Sequence, residues 1–413
     1  MRSELFTVFG RIGLLSFGGP AAQIALMHKE LVDDRAWLTE AEFLKALSFC
    51  MLLPGPEAMQ LATYAGWKRA GITGGLIGGG LFVLPGALII MALALAYGSY
   101  GALPIVQALF LGVKACVTVI VVQALIKVAK RALLHNWHRL VALGAFVALF
   151  AFAVPFPIVV LCAALIGMML PATPPARGHI ARPSLKRTFA TLAIGAVIWA
   201  VPIGLLYAMN LEFLTELSLF FATLAVVTFG GAYAVLAYMT QEVVVSYQWL
   251  RTAQMMDALG LAETTPGPLI LVTQFVAMIA GMAKGGKALA VLAGIVTLWV
   301  TFVPCFIWIF AGAPLIDWID SRPRLRGALS GVTAAVVGVI ANLSIWFAIH
   351  VFFANVHTYH WGAVTISLPD IVTLQPVTVI LAGLAAALLL WKNKGLPLVL
   401  AITALAGLFT LLG

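Results

Sequence analysis

The chain repeats a set of backbone-breaking motifs at one fixed distance. Four anchors in the first half recur 212 positions later, because 229 − 17 = 212 and 266 − 54 = 212. The pairs are Phe17-Gly18-Gly19 with Phe229-Gly230-Gly231, Glu30 with Glu242, Trp37-Leu38 with Trp249-Leu250, and Pro54-Gly55-Pro56 with Pro266-Gly267-Pro268. One offset held across separate anchors indicates a duplicated structural unit.

The sequence around these motifs is that of a membrane protein. Hydrophobic residues make up 63% of the chain and charged residues 9%, with a mean hydropathy of +1.08. A soluble domain has about half apolar and about a quarter charged residues. Apolar stretches recur along nearly the whole chain, which predicts an all-α polytopic membrane protein. We place membrane helices near 5–29, 42–66, 72–98, 103–128, 138–154, 156–171, 189–208, 213–241, 253–282, 287–311, 326–353, 371–391 and 395–412.

The duplication predicts three parts: an N-terminal repeat over 1–171, a cytoplasmic linker with a connecting helix over 172–210, and a C-terminal repeat over 211–413. An odd number of predicted spans separates the first helices of the two repeats, so we expect the copies to lie in opposite orientations. This is the inverted-repeat plan of secondary transporters, whose sites form near the midplane at broken helices.

Charge distribution gives the orientation in the membrane. Lysine and arginine concentrate in the loops on the side of the N-terminus, which predicts a cytoplasmic N-terminus. The net charge of +9 is therefore read as a topology signal, and no nucleic-acid partner is expected. The N-terminus shows no cleavage site typical of a signal peptide.

The repeated glycines and prolines are expected to interrupt helices or to re-enter the membrane. In Pro54-Gly55-Pro56, glycine permits unusual backbone angles and the second proline suits the first turn of a new helix. A helix N-terminus carries unpaired N–H groups and about half a positive charge. Phe17-Gly18-Gly19-Pro20 and the two second-half motifs predict the same, so four converging ends would total roughly +2 and suit a dianion. The alternative is that these residues only kink helices for packing.

A second offset locates a small insertion. Gly71, Gly75 and Gly79 map onto Gly286, Ala290 and Gly294, and 286 − 71 = 215. The spacing predicts a small-residue packing face in each half. The change from 212 to 215 predicts a three-residue insertion between the motifs.

Ionisable residues inside apolar segments are candidates for function because burying charge in a bilayer is costly. Arg11 and Lys114 are expected to face an anion, or else to snorkel or pair with a carboxylate. Glu57 and Glu263 lie beside the two Pro-Gly-Pro breaks and are candidates for coupling, although Glu57 also suits dipole capping. Asp257 is expected in the same polar network.

Glu30 and Glu242 are expected either to pair with Lys29, Arg35 or Arg251 as gates, or to lie in solvated turns. The histidine pairs His135 with His138 and His357 with His360 lack a third ligand of matching spacing, so no metal is expected. We find no nucleophile elbow, phosphate loop or metalloprotease motif, and expect neither an enzyme nor a cofactor.

Four segments together resemble the long, two-domain chromate transporters of the CHR family: Leu15-Ser16-Phe17-Gly18-Gly19-Pro20, the run from Cys50 to Ala58, Phe82-Val83-Leu84-Pro85-Gly86, and Ala262-Glu263-Thr264-Thr265-Pro266-Gly267-Pro268. The similarity covers essentially the whole chain. It implies export of chromate across the bacterial inner membrane, driven by protons, with sulfate as a related oxyanion. The chain departs from the family pattern at His28, where an arginine is expected.

The sequence thus predicts a transporter that moves a tetrahedral oxyanion by alternating access. The ion is expected to bind to the backbone amides that follow Gly18-Gly19, Gly55, Gly230-Gly231 and Gly267, with Arg11 and Lys114 adding charge. Uptake of sulfate or another oxyanion, an anion channel and a purely structural membrane protein are the alternatives. Whether the chain forms a homodimer is left open.

Overall fold

The computed structural model describes residues 2–17, 19–170, 185–227, 229, 232–316, 322–362 and 364–411. Helices account for nearly all of them, and the prediction of an all-α polytopic membrane protein is confirmed. The first half contains α1 (Arg2–Leu15), α2 (Gly19–His28), α3 (Glu40–Cys50), α4 (Glu57–Tyr100), α5 (Pro104–Ala132), α6 (Asn136–Phe152) and α7 (Phe156–Met169).

After the connecting helix α8 (Leu185–Ala208), a similar order of elements follows. The second half contains α9 (Glu212–Val227), α10 (Ala232–Gln241), α11 (Thr252–Thr264), α12 (Val272–Gly312), α13 (Pro323–Phe352), α14 (Pro376–Ala386) and α15 (Leu396–Gly407). Short π-helical turns follow α2 at Lys29–Asp33 and α10 at Glu242–Ser246. A third π turn, Ala387–Trp391, extends α14, and a 3-10 turn, Leu408–Leu411, follows α15.

The backbone repeats its unusual conformations at the offsets found in the sequence. Gly55 and Gly267 both have positive φ, at 109° and 90°. Ala36 and Gln248, which are also 212 positions apart, have φ of 49° and 52°. After the second break, the 3-10 turn Leu269–Leu271 precedes α12, whereas α4 begins directly after Pro56. This turn is the predicted three-residue insertion.

The long helices α4 and α12 are each hairpins of two helices. Ala70 and Gly71 have non-helical backbone angles inside α4, as Gly285 and Gly286 have inside α12. In α4 the chain folds back closely enough that a Cβ on Gly74 would overlap the carbonyl oxygen of Gly66. A straight helix would separate these residues by about 12 Å. Each half therefore contains a short helix of about half a membrane thickness between its Pro-Gly-Pro break and a glycine turn.

The predicted single spans 5–29, 42–66, 213–241 and 253–282 are each divided. Helix α3 ends at Cys50 and α4 begins at Glu57, while α11 ends at Thr264 and α12 begins at Val272. The physical reason is that Pro54 and Pro56, like Pro266 and Pro268, have no N–H group to continue a helical ladder. Five helical segments of the described chain are long and apolar enough to cross a membrane: Glu57–Tyr100, Pro104–Ala132, Lys186–Ala208, Leu269–Leu315 and Pro323–Phe352.

A two-stranded hairpin interrupts the helical pattern in the second half. Strands β1 (Val356–Trp361) and β2 (Val364–Pro369) pair antiparallel, with His360 opposite Thr365. The predicted helices end at 353 and resume at 371, and no strand is predicted between them. Its strand-forming residues are mostly exposed, and the rings of Tyr359 and Trp361 stack at 5.7 Å.

The chain divides into two compact units, and each draws on both halves. Unit 1 comprises Met1–Leu95, Pro171–Val235 and Thr265–Arg326; unit 2 comprises Ala96–Leu170, Leu236–Thr264 and Gly327–Gly413. In unit 1, α12 packs on α8 and α9, and the Trp199 indole donates to the Val300 carbonyl oxygen at 3.0 Å.

Small residues allow the helices of both units to approach closely. In unit 2, a Cβ on Gly112 of α5 would overlap the Thr403 carbonyl oxygen of α15. In unit 1, Gly75 lies against the Phe310 ring, and Gly79 lies against Phe306. Close packing at the predicted small-residue face is therefore observed.

Candidate functional site at the helix breaks

The Phe-Gly-Gly break of the first half meets the Pro-Gly-Pro break of the second half inside unit 1. The Gly267 N–H donates to the Ser16 carbonyl oxygen at 2.9 Å. The Gln23 side-chain amide donates to the Gly267 carbonyl oxygen at 2.7 Å and to that of Ser16 at 3.4 Å. Both side chains are buried, with Ser16 0% and Gln23 2% exposed. Two predicted breaks, one from each half, thus form one hydrogen-bonded junction.

Glycine is required at the second break because the backbone is packed from two sides. Gly267 has a φ of 90°, and a Cβ there would lie 3.0 Å from the Leu271 side chain and 3.5 Å from the Gly86 Cα. A Cβ on Gly86 would in turn overlap the Pro266 carbonyl oxygen. The Gly267 N–H is bonded to Ser16, and of the amides after Gly267 that were expected to bind the anion, the next, Pro268, has no N–H group.

The first Pro-Gly-Pro break is lined by other groups of unit 1. Gly55 has a φ of 109°, and a Cβ there would lie 2.9 Å from the Cys305 sulfur and 3.2 Å from the Gln60 amide nitrogen. Gln60, which is 0% exposed, donates to the Pro54 carbonyl oxygen at 2.7 Å. Its amide oxygen has no hydrogen-bond partner among the described residues. This break is therefore buried and carries an unsatisfied polar atom.

The residues of the Phe-Gly-Gly motifs are described only in part. Gly18, Gly230 and Gly231 lie outside the described residues. Phe17 is 39% exposed and precedes Gly19, which has a φ of 76° at the start of α2. Phe229 and Pro20 are half-buried. The positive φ of Gly19 agrees with a helix that restarts at this motif.

Glu30 is buried between two arginines. Its carboxylate pairs with Arg35 and lies 3.4 Å from the Arg11 guanidinium nitrogen Nε. The Glu30 side chain is 3% exposed, whereas the Arg11 side chain is 59% exposed. Arg11 was predicted to face an anion or to pair with a carboxylate, and the structure gives the carboxylate. Glu242 occupies the matching π turn of the second half.

A separate ionic cluster lies in unit 2. The Lys114 ammonium of α5 lies 3.1 Å from Oδ1 of Asp257 on α11, as an ion pair with no well-aligned hydrogen bond. The Tyr97 hydroxyl donates to the other carboxylate oxygen of Asp257 at 2.6 Å. The two charged side chains are 16% and 11% exposed. Lys114 and Asp257 are thus brought together, and Glu263 is buried further along α11.

Near the end of α2, His28 takes the place of the expected arginine. Its Nε2 lies 2.6 Å from a Glu40 carboxylate oxygen, and its Nδ1 lies 3.3 Å from Asp33. The hydrogen bond to Glu40, helped by the charges of Glu40 and Asp33, raises the pKa of His28 above its ordinary value. Nearby, hydrogen bonds from Lys68 and the Thr39 N–H lower the pKa of Glu42 to about 2.

No cluster of three or more metal-binding side chains occurs among the described residues. The nitrogens of His138 are engaged by the His135 N–H at 3.1 Å and the Ser330 hydroxyl at 2.8 Å. His357 and His360 lie three apart on β1, so their side chains point to opposite faces of the hairpin.

Several polar residues of the two units were missed by the sequence reasoning. Ser16 and Gln23 flank the first Phe-Gly-Gly motif, and Tyr97 ends the apolar run of α4. Thr297 and Thr301 lie in α12, buried to 0% and 1% exposure. Position relative to the repeated motifs was the signal available for Ser16 and Gln23, whereas Tyr97 carried no local signal.

The comparisons with known proteins agree with this architecture. Residues 3–168 and 215–408 match the family described as Chromate transporter. The chain belongs to the chromate transporter family. As a member, it is a multi-pass membrane protein, and its family supports chromate transport as its activity.

Curated relatives match this chain over nearly its full length. A probable chromate transport protein of Synechococcus elongatus is 30% identical over 98% of this chain and 94% of its own length. Chromate transport proteins of Cupriavidus metallidurans and Pseudomonas aeruginosa are 29% and 31% identical, over 98% and 95% of this chain and 92% and 88% of theirs. These relatives are named as transport proteins and not as enzymes. No solved structure matches the chain.

Proposed function

We propose that this chain is a secondary active transporter that exports chromate across the bacterial inner membrane, driven by the proton gradient. The observation that carries the proposal is the junction in unit 1, where Gly267 bonds Ser16 across the two halves. Interrupted helices from two copies of a unit, meeting in apolar surroundings, are typical of transporters that alternate access to a central site.

The substrate site of the proposal is formed by the interrupted segments. Backbone at the Phe-Gly-Gly and Pro-Gly-Pro motifs binds the oxyanion, because helix N-termini favour negative charge and irregular backbone in a membrane is tolerated where it lines a cavity. Arg11 and Lys114 stand as further candidates for binding, and Glu57, Glu263, Glu30, Glu242 and Asp257 as candidates for coupling or gating.

The orientation and assembly of the chain are part of the same proposal. The two halves lie in opposite orientations, the first over 1–171 and the second over 211–413, with the N-terminus in the cytoplasm. Support for this comes from the charge distribution of the loops and from the repeated backbone angles at Gly55 and Gly267. Homodimer formation stays a prediction.

Counterflow of labelled chromate and sulfate in proteoliposomes tests this function. We expect saturable chromate exchange that responds to the sign of an imposed pH gradient. Faster flux into vesicles acidified inside, with protein inserted in the matching orientation, indicates proton antiport. Exchange of sulfate alone would favour an uptake transporter, and unsaturable flux independent of pH would favour an anion channel.

Substitution at the breaks connects the activity to the proposed site. Gly55→Leu and Gly267→Leu should abolish chromate exchange, because both positions have positive φ and neighbours within 3.0 Å of the added Cβ. Gly144→Leu is the matched control, since Gly144 is exposed in α6 with nothing within 4 Å. Full exchange by folded protein carrying either break substitution would remove this site.

A further inference from the structure

Four buried side-chain oxygens of unit 1 have no hydrogen-bond partner among the described residues. They are Oε1 of Gln60 and of Gln274, and the hydroxyl oxygens of Thr297 and Thr301. The four residues are 0% or 1% exposed. Native proteins satisfy nearly all buried polar atoms, with protein, water or ligand. Buried atoms of this kind without a protein partner therefore point to something that binds beside them.

Both threonines lie on the side of α12 that carries Cys305, which lies against Gly55 of the first Pro-Gly-Pro break. Thr297, Thr301 and Cys305 follow one another at four-residue spacing, which places them on one side of a helix. The Cys305 sulfur lies 2.9 Å from the Cβ position of Gly55, and the Gln60 amide nitrogen lies 3.2 Å from it. Gln60 and Cys305, which lies on the same side of α12 as the two threonines, therefore both border the backbone at Gly55.

Residues of α4 pack closely on the second Pro-Gly-Pro break, and their counterparts in α12 are different residue types. Positions 86 and 301 correspond, since 301 − 86 = 215, as do positions 82 and 297. Gly86 packs directly on Pro266, and the Phe82 carbonyl oxygen lies 3.5 Å from the Cβ position of Gly267. The second half replaces Gly86 and Phe82 by Thr301 and Thr297.

Gln23, whose side chain bonds the second Pro-Gly-Pro break, has an apolar residue at its matching position in the second half. Gln23, which bonds the Gly267 carbonyl oxygen, corresponds to Val235, since 235 − 23 = 212. Valine has no side-chain donor or acceptor for this purpose. Among the described residues, Ser16 and Gln23 bond the second Pro-Gly-Pro break, whereas Gln60, whose amide oxygen has no partner, bonds the first.

The types of these atoms define the ligand. The two threonine hydroxyls can donate hydrogen bonds to oxyanion oxygens. The Gln60 oxygen can only accept, and its orientation is fixed because the amide nitrogen donates to Pro54 at 2.7 Å. A fully deprotonated oxyanion has no hydrogen to give to this oxygen, but a singly protonated one has.

Charge favours the same ligand. Glu57 lies about one helical turn before Gln60, and Cys50 and Cys305 are titratable groups near the break in the described part of the chain. The cations Arg11 and Arg35 of unit 1 are both paired with Glu30, and Lys68 is paired with Glu42. A monoanion also costs less to bury in these apolar surroundings than a dianion does.

We propose that the first Pro-Gly-Pro break binds the oxyanion in its singly protonated form. Thr297 and Thr301 donate to the oxyanion oxygens, and the Gln60 amide oxygen accepts the oxyanion's O–H. The inference rests on the proposed function and adds the substrate form and a specificity-determining residue. Chromate takes up a proton near neutral pH, whereas sulfate does so only in strong acid, so Gln60 selects chromate over sulfate.

The test measures initial rates of labelled chromate and sulfate exchange in proteoliposomes, with equal pH on both sides, above and below the pKa of chromate itself. We expect the apparent affinity of the wild type for total chromate to follow its protonated fraction, and sulfate to compete weakly at every pH. In Glu57→Gln, the preference for chromate over sulfate should still rise as the pH is lowered, because the group that takes up the proton belongs to the substrate.

Variants separate the three side chains. Thr297→Val and Thr301→Val should each weaken chromate binding about tenfold, and serine at either position should restore most of it. Gln60→Met should lower the preference for chromate over sulfate about tenfold and flatten its pH dependence. Thr240→Val is the matched control, because that buried hydroxyl already donates to Leu236 at 2.7 Å.

Gln274→Met distinguishes ligand from water. Gln274 also has an unpartnered amide oxygen, but its nitrogen bonds Ala87 at 3.1 Å, next to Gly86, which packs on the second Pro-Gly-Pro break. If ordered water satisfies all four oxygens, Gln60→Met and Gln274→Met will have equal effects, and the proposal is overturned. An unchanged preference in Gln60→Met overturns it also.

The wild-type pH profile keeps the proposal testable even if a variant does not fold. Affinity for chromate that rises with pH would contradict binding of the protonated form. No saturable chromate flux at any pH would instead contradict the proposed function. The two failures are therefore distinguishable.

Discussion

The ion pair between Lys114 and Asp257 in unit 2 is largely buried, so Lys114 should contribute more to stability than an exposed lysine does. Lys114→Met should destabilise the protein by about 3–5 kcal/mol, because it leaves the Asp257 carboxylate buried without its cation. Exposed pairs contribute only about 0–1 kcal/mol. The larger figure applies because the Lys114 and Asp257 side chains are 16% and 11% exposed and the Tyr97 hydroxyl also bonds the carboxylate.

A double-mutant cycle isolates the pair. Asp257→Asn should also be destabilising, and adding it to Lys114→Met should cost less than the sum of the two single changes by about 1–3 kcal/mol. The measurement is equilibrium unfolding in mixed detergent micelles, followed by tryptophan fluorescence. Lys127→Met serves as the control, because Lys127 is exposed on the same helix α5. A loss below about 1 kcal/mol for Lys114→Met, or additive changes, would refute this reasoning.

Two further predictions concern close packing and pH. Gly112→Ala should destabilise unit 2 by about 1–3 kcal/mol, because the added Cβ would overlap the Thr403 carbonyl oxygen. Gly144→Ala is the control and should change the unfolding free energy little, since nothing lies within 4 Å of its Cβ position. Equal effects of the two substitutions in the same unfolding assay would contradict the close packing at Gly112. His28 bonds Glu40 and has a raised pKa, so the stabilisation is complete below its ordinary pKa of 6.5 and is lost as pH rises through the raised value. Glu40→Gln should flatten the dependence of the unfolding free energy on pH in that window, and a slope equal to that of the wild type would argue against the pair.

The helical fold and its interruptions were predictable because their causes are local. Proline without an N–H and glycine at positive φ break a helix wherever they stand, so Pro54-Gly55-Pro56 and Pro266-Gly267-Pro268 could be read directly. The change of offset from 212 to 215 likewise located the insertion that forms the turn Leu269–Leu271. Hydropathy predicted the helical membrane class, although four of the predicted spans are divided in the structure.

Partners distant in sequence were harder to predict. Arg11 meets Glu30, and Lys114 meets Asp257 from a different helix; both contacts depend on packing that no local pattern encodes. The composition of the segment 356–369 allows strands, but the helical surroundings favoured a plain connection. The hairpin β1–β2 was therefore missed.

The unpartnered hydroxyls carried the weakest signal. Threonines in membrane helices commonly bond the carbonyl oxygen one turn earlier, as Thr333 does with Leu329 at 2.8 Å. Thr297 and Thr301 lack such a bond among the described residues, which only the side-chain geometry reveals. Their correspondence with Phe82 and Gly86 became informative once the packing of the second break was known.

The position of the bound ion is the most direct test of a substrate site at the helix breaks. Chromium scatters anomalously, so diffraction data collected at the chromium absorption edge from crystals grown with chromate will locate the ion without prior assumptions. We expect an anomalous peak in unit 1, within hydrogen-bond reach of Gln60 and Thr301 beside Gly55. A peak elsewhere, such as beside Lys114 in unit 2, with none at the breaks, would contradict the account.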